Sequence, residues 1–145
     1  NNSHFHFPKK ASKVALISNG TGIAPFLGML AENKSKVETH LYCGFRNNDE
    51  LTKKYSQIAH KYISKQKLST FNLALSRQEA SQYVMDLIKK DQNFFLELLR
   101  NNGVIMICGA LKMQKDVEAV LAIICKNNGE NFETYKEKNQ ILTDC

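Results

Sequence analysis

Short apolar runs alternate with segments of helical periodicity along almost the whole of this chain, and that alternation restricts its fold more than any other property. Val14-Ala15-Leu16-Ile17 is the first run, of the kind that fills a strand buried on both faces, beginning near Lys13. It ends in Asn19-Gly20-Thr21-Gly22, and Pro25 follows in the first turn of a helix, where its missing N–H has no partner to lose. A second strand from Val37 to Cys43 closes at Gly44. Asn48 or Asp49 then caps a helix on which Leu51, Tyr55, Ile58, Ala59 and Tyr62 recur at helical spacing. Phe71, Leu73 and Leu75 mark a third strand, followed by a loop at Ser76-Arg77 and helical patterns at Tyr83 to Lys89 and Phe94 to Leu99 that stop at Gly103. Val104 to Gly109 holds the most apolar strand; Met113, Val117, Val120, Leu121 and Ile124 then line one face of a helix stopping near Gly129. Phe132 and Tyr135 suggest a last short helix before a strand at Ile141-Leu142-Thr143 that carries Asp144 and Cys145 to the end.

Strands separated by helices need crossover connections, so the expected fold is α/β and doubly wound, with a mainly five-stranded parallel sheet and helices on both faces. The 145 residues suit one core, and the absence of a fixed-period repeat or low-complexity block excludes solenoid and disordered readings. A net charge of +6 favours anionic partners in general. Lys53-Lys54 and Lys89-Lys90 lack the interleaved aromatics of a nucleic-acid surface, so no nucleic-acid partner is expected. No run approaches the roughly 18 apolar residues of a membrane span. Cys43, Cys108, Cys125 and Cys145 form no C-x-x-C pair, which reads as reduced thiols in the cytoplasm, with Cys43 and Cys125 as packing and Cys145 exposed. His4 and His6 have no further ligands near them in sequence, so no metal is expected; His40 and His60 read as strand and helix surface positions.

Doubly wound sheets open a crevice at the carboxyl ends of their strands. That edge gathers Asn19 to Pro25, Gly44 to Arg46, Ser76-Arg77, Cys108-Gly109 and Asp144. Gly20 and Gly22 let a backbone approach a ligand closely, and the helix behind them aims free N–H groups at it. A phosphate or pyrophosphate suits such a turn, and Arg46, Ser76 and Arg77 add guanidinium and hydroxyl donors from neighbouring loops. By itself the turn reads equally as structural, and either Arg as a solvated loop residue. It lacks the third glycine of the common dinucleotide fingerprint, and it has no lysine to reach a terminal phosphate, which argues against an NTPase.

Four ordered stretches, Ile17-Ser18-Asn19-Gly20-Thr21-Gly22-Ile23-Ala24-Pro25-Phe26, Leu41-Tyr42-Cys43-Gly44-Phe45-Arg46, Leu75-Ser76-Arg77 and Met106-Ile107-Cys108-Gly109, resemble the motifs of ferredoxin-NADP reductases. The chain is more closely similar to the pyridine-nucleotide domain of diflavin reductases of the sulfite reductase flavoprotein type, over about Phe5 to Cys145. The resemblance implies a Rossmann-like NADP-binding domain over residues 11–145, with residues 1–10 as the connector from an FAD-binding domain outside this chain. It implies that Gly20, Thr21, Gly22 and Pro25 take the pyrophosphate and shape the nicotinamide pocket, that Arg46 lies along the phosphate and ribose path, and that Ile23, Gly44 and Gly109 also belong to the cofactor site. Ser76 and Arg77 would grip the 2'-phosphate, Tyr83 would stack on adenine, and Cys108 and Asp144 would serve hydride transfer. In the stretch Ser81-Gln82-Tyr83-Val84-Met85 the Lys that relatives carry is missing and Met85 replaces a Gln, so NADPH is the expected cofactor with NADH as the alternative. Relatives also place an aromatic residue just beyond the position of Asp144, whereas this chain stops at Cys145.

The resulting expectation is the NAD(P)H-binding module of a flavin-dependent oxidoreductase that passes hydride from NADPH to FAD held by a separate domain, inactive as a reductase when isolated. A flavodoxin-like or other electron-acceptor domain would be a further partner, in a cytoplasmic protein or on the cytoplasmic side of a membrane-anchored one. The alternative is a nucleotide-sensing or interaction domain that keeps the phosphate loop without catalysis, in which Cys108 and Asp144 would be dispensable.

Overall fold

Each apolar run between Lys13 and Asp144 forms a strand, and the five strands lie side by side, all parallel, in the order β3-β2-β1-β4-β5. The computed structural model describes residues 5–144, so His4 and Cys145 lie outside the described residues. The strands are β1 Lys13–Asn19, β2 Glu38–Phe45, β3 Thr70–Leu75, β4 Val104–Cys108 and β5 Ile141–Asp144. Between them run α1 Ile23–Ala31, α2 Glu50–Ser64, α3 Val84–Lys90, α4 Gln92–Arg100, α5 Leu111–Asn127 and α6 Phe132–Glu137.

Side chains on a strand alternate between faces, and this divides the core in two. Val14, Leu16, Leu41, Cys43, Met106 and Cys108 pack against Ile23, Phe26, Leu27 and Leu30 of α1 and Ala59 of α2. Phe5 and Phe7 join that layer, and the Phe5 and Phe26 ring centroids are 5.9 Å apart. Ala15, Ile17, Tyr42, Ala74, Ile105 and Ile107 face α3, α4, α5 and α6. Ile17, Leu16, Met106 and Phe26 are fully buried, each worth roughly 1.5–3 kcal/mol of hydrophobic transfer.

Two sequence expectations need correction and one gains detail. The second strand does not close at Gly44 but continues to Phe45, because β3 extends beside it and pairs as far as Phe45 with Leu75. Gly103 stops the helical stretch as expected, with the left-handed conformation taken by Asn102 at φ 62°; a Cβ on Gly103 would lie 2.5 Å from Leu98 Cγ. The Gly103 N–H closes the α4 end by donating to the Leu98 carbonyl at 2.7 Å. His40 is not a free surface position: its ring lies between Thr70 Oγ1 and Glu38 Oε2, both at 2.8 Å, and packs edge-on to Phe94. The His40 hydrogen bond is the main reason that Glu38 titrates below the ordinary carboxylate range.

The strand order places the crevice. From β1 the chain builds outward through β2 to β3, then returns to add β4 and β5 on the other side of β1. The connections leaving β1 and β4 therefore diverge to opposite faces, and a cleft opens between their carboxyl ends.

Candidate functional site

A cleft of about 710 Å³ opens at this switch point, lined among others by Gly20, Thr21, Gly22, Pro25, Arg46, Cys108 and Gly109. Seven of the expected residues, from three separate connections, thus meet in one place. After β1 the chain makes a single 3-10 turn, Gly20–Gly22, before α1 begins at Ile23. Gly20 has φ +56°, a left-handed value that costs a residue with a Cβ about 1 kcal/mol. Gly22 is needed for a different reason: a Cβ there would stand 2.5 Å from the Cys108 carbonyl oxygen. The turn is therefore pressed against the end of β4, which brings the proposed phosphate donors next to the thiol.

Cys108 is 4% exposed and closes the base of the cleft. In register beside it on β5 stands Asp144, about 4.8 Å away as strand neighbours are, with its side chain on the same face. Asp144 does not line the cleft directly. Its carbonyl accepts the Gly109 N–H at 3.2 Å, so the β4 end and the β5 end are joined by backbone.

Arg46 and Ser76-Arg77 leave the ends of β2 and β3. The Ser76 N–H donates to the Phe45 carbonyl at 2.9 Å and the Arg77 N–H to the Arg46 carbonyl at 2.8 Å, prolonging the β2–β3 pairing past both strands. This joins the two arginine-bearing loops, although Ser76 and Arg77 do not line the main cleft. Ser81 Oγ donates to the Ser76 carbonyl at 2.6 Å and the Gln82 N–H to the Leu75 carbonyl at 3.1 Å. The loop between them is closed into a bend with Arg77 exposed on it.

Tyr83 lies in an adjoining groove of about 310 Å³ with Met85, Lys112, Met113 and Asp116, continuous with the cleft through Asn19 and Ala110, which line both. Tyr83 is 54% exposed, and its backbone N–H is held by Asp86 Oδ2 at 2.8 Å, leaving the ring face open. Ile23 and Gly44 serve the site from behind. Ile23 is fully buried under α1, its N–H turned to the Gly20 and Thr21 carbonyls. Gly44 makes room for Asn19, whose Oδ1 lies 2.7 Å from where a Cβ would stand.

Sequence reasoning missed the wall between β2 and α2. Phe45, Asn47, Asp49, Leu51 and Thr52 line the cleft. Asp49 caps α2 by accepting the Thr52 N–H at 2.9 Å, and that bond holds its carboxyl below the ordinary aspartate range. The cap was legible, and Leu51, 47% exposed, reads as helix face; nothing in one-dimensional spacing said that both line the cleft. Cys43 is fully buried, and burial pushes its thiol up to about 12, which removes it from thiolate chemistry. Among the described residues no helix is long and apolar enough to cross a membrane.

A family model described as the oxidoreductase NAD-binding domain matches residues 16–119. NADPH–cytochrome P450 reductase of Cavia porcellus is 33% identical over 138 residues, covering 88% of this chain and 20% of that protein. The same-named protein of Salmo trutta is 36% identical over 140 residues, 88% of this chain and 23% of its own length. The sulfite reductase [NADPH] flavoprotein alpha-component of Buchnera aphidicola subsp. Acyrthosiphon pisum (strain APS) is 33% identical over 142 residues, covering 94% of this chain and 24% of that protein. The chain spans between a fifth and a quarter of the length of these curated relatives.

Proposed function

The chain belongs to the oxidoreductase NAD-binding domain family, and from that premise we propose that it binds NADPH and presents the nicotinamide to an FAD held by a separate domain. One observation carries this reading: the glycine turn, Arg46 and Cys108 line a single cleft at the sheet's switch point. The donors fit the cofactor. Backbone N–H groups of the Gly20–Gly22 turn and the Arg46 guanidinium suit a pyrophosphate. The exposed Arg77 beside Ser76 suits the 2'-phosphate, and the open face of Tyr83 in the adjoining groove suits adenine.

When bound, nicotinamide supplies the hydride; the chain's own residues position and stabilise. Cys108 offers a small, nearly buried surface against which a ring can lie with its other face free. The Asp144 carboxylate, one strand over, favours the positive charge that the nicotinamide ring gains as hydride leaves. Residues 1–10 form the connector to the FAD domain, and a flavodoxin-like domain receives the electrons in a protein working in, or facing, the cytoplasm. The relatives' names, which specify NADPH, support this cofactor.

Titration of the 145-residue chain with NADPH, followed by the backbone amides of Gly20, Gly22 and Gly109, tests the reading. Saturable shifts at all three are expected; no binding, or binding elsewhere, overturns it. In the complete flavoprotein, Cys108→Ala is expected to slow flavin reduction more than it weakens nucleotide binding. Equal loss in both would favour a non-catalytic domain.

A further inference from the structure

We infer that Gln114 is a positioning residue that latches the end of β5 onto the β4–α5 turn and thereby sets Asp144 beside Cys108. This rests on the nicotinamide-binding reading above, and it assigns a role to a residue that no sequence motif singled out. Gln114 lies on the first turn of α5 and is 8% exposed. Its side-chain amide donates to two backbone carbonyls from different segments, Gly109 at 2.8 Å and Asp144 at 3.0 Å. The Asp144 carbonyl also accepts the Gly109 N–H, so both of its acceptor positions are filled and the Gly109 peptide is held by its N–H and its C=O alike.

Among the described residues β5 is an edge strand of the sheet and pairs with β4 alone. An edge strand held by one ladder opens readily, whereas a reacting group must be held to within about 0.5 Å. Among uncharged side chains, only the Gln amide has two donors at this reach. A carboxylate would oppose both oxygens, and a hydrocarbon of equal volume would take one donor from each of them in a buried site.

Gln114→Met keeps the packing and removes the donors; Gln114→Glu keeps the shape and turns donors into acceptors. Both are read by amide hydrogen exchange and by titration with NADP⁺ and with adenosine 2',5'-bisphosphate, which has the adenosine and its 2'-phosphate but no nicotinamide. The Gly109 amide is expected to exchange about tenfold faster or more, while β1 and β2 amides keep their protection. NADP⁺ affinity is expected to fall about fivefold or more, with the bisphosphate unaffected. Unchanged exchange at Gly109 overturns the latch, and equal weakening of both ligands shows that Gln114 serves the fold alone. A wild-type chain that binds neither ligand overturns the nucleotide reading itself, whatever the variants do.

Discussion

Gly22 has the least freedom of any residue at the cleft. Because its α-carbon packs against the Cys108 carbonyl, Gly22→Ala must push the 3-10 turn away from β4, an overpacking cost of about 1–3 kcal/mol. Its denaturant midpoint should fall and its NADPH affinity with it, both measurable on one preparation. Arg77 tests the opposite property, since its side chain is exposed and its loss should leave the fold untouched. Arg77→Ala is expected to weaken NADPH by about ten- to a hundredfold, as loss of one charge-assisted phosphate contact would. NADH, which lacks the 2'-phosphate, should be nearly unaffected in the parallel titration. Equal losses for the two cofactors would remove Arg77 from the 2'-phosphate site.

Helices α1 and α2 flank the cleft, and each has a position, within it or at its cap, that tests stability. Gly28 lies on the exposed side of α1 with nothing within 4 Å of a Cβ. Gly28→Ala is therefore expected to stabilise the protein by about 0.5–1 kcal/mol in urea denaturation, with nucleotide affinity unchanged. At the start of α2 the Asp49 carboxylate accepts the Thr52 N–H, and its pKa is lowered by that bond. A lowered native pKa means that the unfolded chain binds the proton more readily. The stabilisation is thus complete above the unfolded aspartate value and disappears as pH falls through the native one. Asp49→Asn keeps an accepting oxygen but cannot ionise, so its urea midpoint should fall less steeply than wild type as pH drops below the ordinary aspartate range of about 4. An identical acid slope would show that the cap charge contributes nothing to acid unfolding.

For the molecule as a whole, the cleft opens at the switch between β1 and β4 and is the proposed nucleotide seat, while the proposed flavin belongs to another domain. The isolated chain is expected to bind NADPH yet show no NADPH-dependent ferricyanide reduction. Copurifying FAD with sustained turnover would overturn the separate-domain proposal. The five parallel strands and their flanking helices were legible because a strand buried on both faces must be apolar throughout, while a helix must show its stripe. Val104–Cys108 and the α5 stripe are the clearest cases. The glycine turn was legible as well, since Gly20 and Gly22 answer local demands of backbone geometry. Less local matters were not: the run of β2 past Gly44 depended on β3 lying beside it, and the part of Gly44 in seating Asn19 depended on two strands in register. Strand order, the wall formed by Asp49, Leu51 and Thr52, and the clasp of Gln114 on Gly109 and Asp144 were decided only by the tertiary structure. Periodicity and turn chemistry act through neighbours in sequence, whereas the strand pairings and the reach of Gln114 to Asp144 join segments about 25 to 90 residues apart that only the closed sheet brings together.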